Sequence, residues 1–190
     1  MTTYLLGDSH LAQLGPSVPM LGVDVVNLAV SGAVAQHLED QLRGVLLPAQ
    51  ARLVLSIGTN DADPSRGLPL PEFGAVVDAF LAVRPGRRWV YVASPGCAAD
   101  VDRTWTAAGM ARYSARAASA FAAAGATVLD SPALLAPLGR RALVEDGFTC
   151  RRRGTTRCWP PCGTPWTPDQ DDVSRRNWWW RTMAKNGGRP

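Results

Sequence analysis

The chain has 190 residues, 46% of them hydrophobic, and a formal net charge of +4. That length suits one compact α/β domain with a real core. No uncharged apolar run of about 18 residues occurs, which argues against a membrane span, and four cysteines in so long a chain make no disulfide framework. The opening residues 1–7 carry no basic region, no long apolar stretch and no cleavage site, so they are expected to be a first strand in a cytoplasmic protein rather than a signal peptide.

The average charge conceals a split. Residues 150–190 hold nine Lys/Arg and three Asp/Glu, and five of the seven tryptophans, so composition changes abruptly near residue 149. Before that point the pattern alternates short apolar runs with helix-length segments. Tyr4–Gly7 reads as a strand and Val23–Val30 as a second, followed by a helix over Ala33–Leu46. Ala51–Ile57 is a continuous apolar run, the mark of a strand covered on both faces. Pro71–Val83 reads as a helix opening at proline, Arg88–Ala93 as a strand, Trp105–Ala124 as a long Ala-rich helix closed by Gly125, and Ala126–Leu129 as a fifth strand. Strands alternating with helices predict βαβ units and a parallel sheet. In such sheets ligands bind beyond the carboxyl ends of the strands, where Ser9, Gly32 and Asn60 all fall.

Ser9 on a turn after a buried strand is a candidate nucleophile, provided that a base takes its proton. The Ser9 and Gly32 backbone N–H groups and the Asn60 side-chain amide are candidate donors for an oxyanion hole. Glycine suits position 32 because the backbone must approach the substrate there. The base should be a histidine oriented by a carboxylate. Each residue also has a plainer reading: Ser9 as a helix cap, Asn60 as an ordinary turn residue, Asp146 likewise.

Together these blocks resemble the SGNH (GDSL-like) hydrolase family. The matches are Gly7-Asp8-Ser9, Asn27-Leu28-Ala29-Val30-Ser31-Gly32 and Gly58-Thr59-Asn60-Asp61, in the family's order and spacing. The resemblance covers residues 1–148. It implies a flavodoxin-like three-layer α/β/α sandwich with about five parallel strands, and esterase, lipase or acetylesterase chemistry on a small-molecule, carbohydrate or lipid ester. It implies neither metal nor organic cofactor. The family's closing Asp-x-x-His block here reads Asp146-Gly147-Phe148-Thr149, so Asp146 becomes the orienter of a histidine that the chain lacks.

A lost base just before codon 149 would account for this departure. Restored codons then take their last two bases from the present ones, and the segment can read His-Leu-Ser-Pro-Ala-Gly-Tyr-Asp-Ala-Leu-Leu-Ala-Pro-Leu. That resembles the family's closing block and an apolar helix, and out-of-frame reading of a GC-rich gene accounts for the Arg, Cys, Trp and Pro enrichment. On this reading residues 149–190 form an irregular tail with no selected role.

His10, next to Ser9, suits pocket lining better than proton removal, and His37 reads as a helix-surface residue. Cys150, Cys158 and Cys162 lack the paired spacing of a zinc knuckle. The basic, Trp-rich tail lacks amphipathic order, so specific nucleic-acid or membrane binding is not expected of it. The alternatives to an impaired esterase are a catalytically inactive binding module and a basic-tail adaptor for nucleic acid. The loops Asp63–Pro71 and Gly96–Thr104 are expected to set the width of the pocket, and the sequence leaves the acyl group, the alcohol and the oligomeric state open.

Overall fold

A computed structural model describes residues 1–22, 24–97 and 104–137. The expected domain end at 148, the irregular tail from 149, Asp146, Thr149, and Cys150, Cys158 and Cys162 lie outside the described residues. Five strands, β1 (Thr3–Gly7), β2 (Val25–Asn27), β3 (Arg52–Ser56), β4 (Arg88–Val92) and β5 (Thr127–Leu129), form one sheet of order β2-β1-β3-β4-β5. All four pairings are parallel. The order reverses direction at β1, which leaves a crevice beyond the ends of β1 and β3, the switch point of flavodoxin-like sheets.

The alternation of side chains along each strand sorts the core into two layers. Tyr4 and Leu6 of β1, Leu53 and Leu55 of β3 and Trp89 and Tyr91 of β4 pack with Phe73, Val77 and Phe80 of α3 (Leu70–Ala82) and Ala117 and Phe121 of α4 (Ala107–Ala123). Here Tyr91 stacks on Phe121, with ring centroids 5.1 Å apart. On the opposite face Leu5, Val54, Val90, Val92 and Leu129 pack with Leu11 of α1 (Ser9–Ala12) and with Val18 and Leu21 of a 3-10 segment, Gly15–Leu21. Two short helices, α2 (Leu38–Gln41) and α5 (Ser131–Leu135), complete the described elements.

Two expected elements come out shorter. The second strand holds only Val25–Asn27 instead of reaching Val30. The Asn27 side chain accepts from the Ala29 N–H at 3.1 Å and turns the chain, although the Leu28 and Val30 N–H groups still donate to the Leu5 and Gly7 carbonyls. The helix expected over Ala33–Leu46 is a 3-10 turn, Ala35–His37, running into the four residues of α2. Gln41 ends it by pairing twice with the Gly7 backbone, accepting from its N–H at 2.7 Å and donating to its carbonyl at 2.8 Å. Gly44, at φ +75°, then turns the chain away. Helix α1, the Gly15–Leu21 segment and α5 were not anticipated. Each is too short to show a period in the sequence.

Gly7 carries the tightest backbone approach in the sheet. Its φ is +113°, and a Cβ there would lie 1.9 Å from the Ser56 carbonyl oxygen. Gly7→Ala should therefore lower unfolding free energy by about 3 kcal/mol or more, since it combines strain with a backbone clash. Urea unfolding with unchanged m-value checks this. A loss below about 1 kcal/mol would mean that the strand end shifts freely.

Candidate active site

The site begins where β1 ends. The Asp8 N–H donates to the Ser56 carbonyl at 3.0 Å, so the chain leaving β1 is held against β3 as it turns into α1. Asp8 caps that helix: its carboxylate accepts from the His10 backbone N–H at 3.0 Å. Capping thus falls to Asp8, and Ser9 is left as a partly exposed hydroxyl at the first helical position. His10 points its Nδ1 at the same carboxylate, 2.9 Å away. Asp8 is fully buried, and among the described residues its other oxygen finds no hydrogen-bond partner.

Asn27 ties the next loop to this helix. Its amide donates to the Leu11 carbonyl of α1 at 2.9 Å, while its oxygen takes the Ala29 N–H. Gly32 follows at φ +78°, a conformation that glycine adopts without strain. One residue on, the Ala33 carbonyl accepts from the Asn60 side-chain amide at 3.1 Å. Asn60 is therefore more than a turn residue: it crosses from the loop after β3 to the loop after β2. An amide nitrogen has two N–H groups, and the Ala33 carbonyl takes one of them.

Asp61 makes the same crossing from behind. Its two oxygens accept from the Ala35 N–H at 2.7 Å and the Gly58 N–H at 2.9 Å. Beneath this turn lies a buried polar net. The Tyr91 hydroxyl donates to the Ile57 carbonyl at 2.8 Å, the Thr59 and Ser94 hydroxyls pair, and the Ser114 hydroxyl accepts from the Ser94 N–H. The Trp105 indole N–H reaches the Thr59 carbonyl at 2.9 Å. Gly58 lets α4 approach, since a Cβ there would meet the Ser114 backbone at 3.1 Å.

The sequence reading thus placed Ser9, Gly32 and Asn60 on loops that do meet, while Asp146 lies outside the described residues. His37 is exposed, and its Nδ1 accepts from the Val34 N–H at 3.3 Å. Sequence reasoning missed Gln41, Asn27 as a brace and Asp61. Asn27 and Asp61 had a signal, a polar group closing an apolar run and an acid beside the candidate Asn. Gln41 had none. Among the described residues no group of three His, Cys, Asp or Glu side chains is placed to hold a metal ion, and no helix is long and apolar enough to cross a membrane.

A family model, the GDSL-like lipase/acylhydrolase family, matches residues 6–155. The chain belongs to that family. Its chemistry is the hydrolysis of carboxylic esters. Solved structures agree on the fold. The lipase/acylhydrolase from Enterococcus faecalis superposes with a TM-score of 0.63 at 18% identity, over 81% of this chain and 89% of that one. The acetyl xylan esterase AlAXEase gives 0.62 at 14% identity, over 80% and 92%. Axe2, an acetylxylan esterase from Geobacillus stearothermophilus, gives 0.60 at 16% identity, over 79% and 86%. Comparison with curated proteins finds no match.

Burial pushes the Asp61 carboxyl up to about 6, aided by the Asp8 charge and opposed by its N–H donors Ala35 and Gly58. Unfolded Asp ionises near 4, so between about pH 4 and pH 6 the folded state holds the extra proton. Stability therefore falls as pH rises through that window, and this group costs about 3 kcal/mol once ionised. Asp61→Asn should remove that contribution. Urea unfolding of both proteins from pH 4 to pH 7 should show the wild type losing about 3 kcal/mol relative to the variant. Parallel profiles would contradict the assignment.

Proposed function

We propose that this family member is a serine ester hydrolase acting through an acyl-enzyme on Ser9. The Ser9 hydroxyl attacks the ester carbonyl, a base removes its proton, and the alcohol leaves with a proton returned from that base. Water then repeats the sequence on the acyl-enzyme. The oxyanion of each tetrahedral intermediate takes the Ser9 N–H, the Gly32 N–H and the second Asn60 amide N–H. The observation that carries the reading is the Asn60 bond to the Ala33 carbonyl, which holds that amide one residue from Gly32. Fixed donors of this kind stabilise developing charge without reorganising at the moment of reaction.

The base is the weak point of this chain. By family position it is a histidine oriented by Asp146, and Thr149 stands there. His10 does not replace it: its Nδ1 lies against Asp8, and it neighbours Ser9 along the helix, where successive side chains diverge. The acetyl xylan esterases among the structural neighbours fit a small acyl group on a carbohydrate alcohol. A binding module that retains the cleft without the chemistry is the second reading, favoured by the missing base. The basic-tail adaptor has no observation in its support.

Two experiments test this account. The coding DNA should hold an unbroken alternative frame from codon 149. Early stops there would defeat the frame reading. Turnover of p-nitrophenyl acetate by this chain should fall at least about 10³-fold below a version with the histidine and closing helix restored, because a triad member is missing. Equal, strong activity in both would refute the missing-base account.

A further inference from the structure

The loop after Asn60 carries a charge that the ester chemistry does not use. Asp63 organises this loop: one carboxylate oxygen accepts from the Ser65 N–H at 2.9 Å and from the Ser65 hydroxyl at 2.7 Å. The Arg66 and Gly67 N–H groups donate to the Asp63 carbonyl at 3.0 and 2.8 Å. Gly67 seats the loop on the Asn60 turn, where a Cβ would lie 1.9 Å from the Asp61 carbonyl oxygen. The loop is thus built onto the same turn that holds Asn60.

Arg66 projects from it. Its Nε forms an ion pair with the second Asp63 oxygen, 3.3 Å away. Nη1 reaches to 3.6 Å from where a Cβ on Gly32 would sit, and among the described residues beyond Gly32 and its two chain neighbours no other heavy atom comes within 4 Å of that point. Among the described residues neither Nη1 nor Nη2 makes a hydrogen bond, and the side chain is 54% exposed. A guanidinium whose outer nitrogens make no hydrogen bond presents them as a fork that matches a carboxylate or phosphate. Asp63 balances the charge but leaves those donors unspent.

We propose that Arg66 is an anion-binding residue of this cleft, and that the ester taken here carries a negatively charged oxygen group, a carboxylate or a phosphate, close to its scissile bond. The inference rests on the reading of Gly32 as part of the cleft that receives the acyl group. It makes Arg66 a specificity residue that touches the substrate beside the reacting carbonyl, and it narrows the proposed substrates to esters that bear an anionic group.

The test uses the 190-residue chain and unreactive amide counterparts, so that binding is read without turnover. One pair, 4-acetamidobenzoate and 4-acetamidobenzamide, places the charge on the leaving-group side. The other, N-phenylsuccinamate and N-phenylbutanamide, places it on the acyl side. Isothermal titration in low salt should show one anion binding at least about tenfold more tightly than its neutral counterpart. Arg66→Ala should abolish that preference. Arg66→Lys should keep only part of it, because an ammonium has no fork. Sodium chloride at high concentration should shrink it. Near-UV circular dichroism of each variant confirms that the fold is kept.

The pair that responds tells which side of the ester bears the charge. Equal affinity for anion and neutral compound in both pairs, or a preference that survives Arg66→Ala, would overturn the proposal. An Arg66-dependent preference in a protein that never cleaves esters, even with its histidine restored, would uphold the anion site and sink the hydrolase reading instead.

Discussion

The buried carboxylate of Asp61 is the constraint on which the rest of the site depends. It takes one N–H from the loop after β2 and one from its own turn after β3, and so fixes the spacing between segments far apart in sequence. Burial of a charge is costly unless hydrogen bonds compensate it, and two short bonds do so here. The cost that remains appears as the raised pKa. A group held at such expense in a cleft is characteristic of functional sites. Here its work is to hold others in place: Asn60 on one side, the Ala33–Ala35 backbone on the other.

That frame explains why so few residues do chemistry while so many support them. Ser9, Gly32 and Asn60 would face the substrate. Asp8 caps the helix that carries Ser9, Asn27 braces the glycine loop against that helix, and Gln41 pairs with the Gly7 backbone just before it. Tyr91, Ser94 and Ser114 form a floor under the Gly58–Asn60 turn. An oxyanion hole works only if its donors are already oriented when charge develops, and each of these bonds removes a freedom that would otherwise have to be lost during reaction. The Asp63–Arg66 loop is seated on the same turn through Gly67, so Arg66 and Asn60 share one foundation.

Much of this was legible in the chain itself. The apolar run at Ala51–Ile57 and the Ala-rich stretch at Trp105–Ala124 announced β3 and α4 within a residue or two, because burial on both faces and helical spacing leave strong patterns. The parallel sheet followed from strand–helix alternation, and the flavodoxin-like sandwich from the resemblance to the family. Where pattern misled, a single side chain had the last word. Asn27 stopped the second strand, and Gln41 stopped a helix whose apolar spacing ran on to Leu46. Those contacts join residues 2 and 34 positions apart, and only the local one left a trace in the sequence. The catalytic blocks were visible because they are local. Asp61 and Arg66 acquire their roles from tertiary neighbours, Ala35 and Gly32, that no spacing rule connects.

The central claim is that one oxygen can be held at once by Ser9, Gly32 and Asn60. A crystal structure of the histidine-restored protein, phosphonylated on Ser9 by a small alkyl phosphonate, tests it most directly, since the phosphoryl oxygen mimics the tetrahedral oxyanion. The account predicts that oxygen within about 3 Å of the Ser9 N–H, the Gly32 N–H and the Asn60 amide, with the Asn60 bond to the Ala33 carbonyl still in place. Modification at another residue, or a phosphoryl oxygen turned to solvent with Asn60 out of reach, would contradict it.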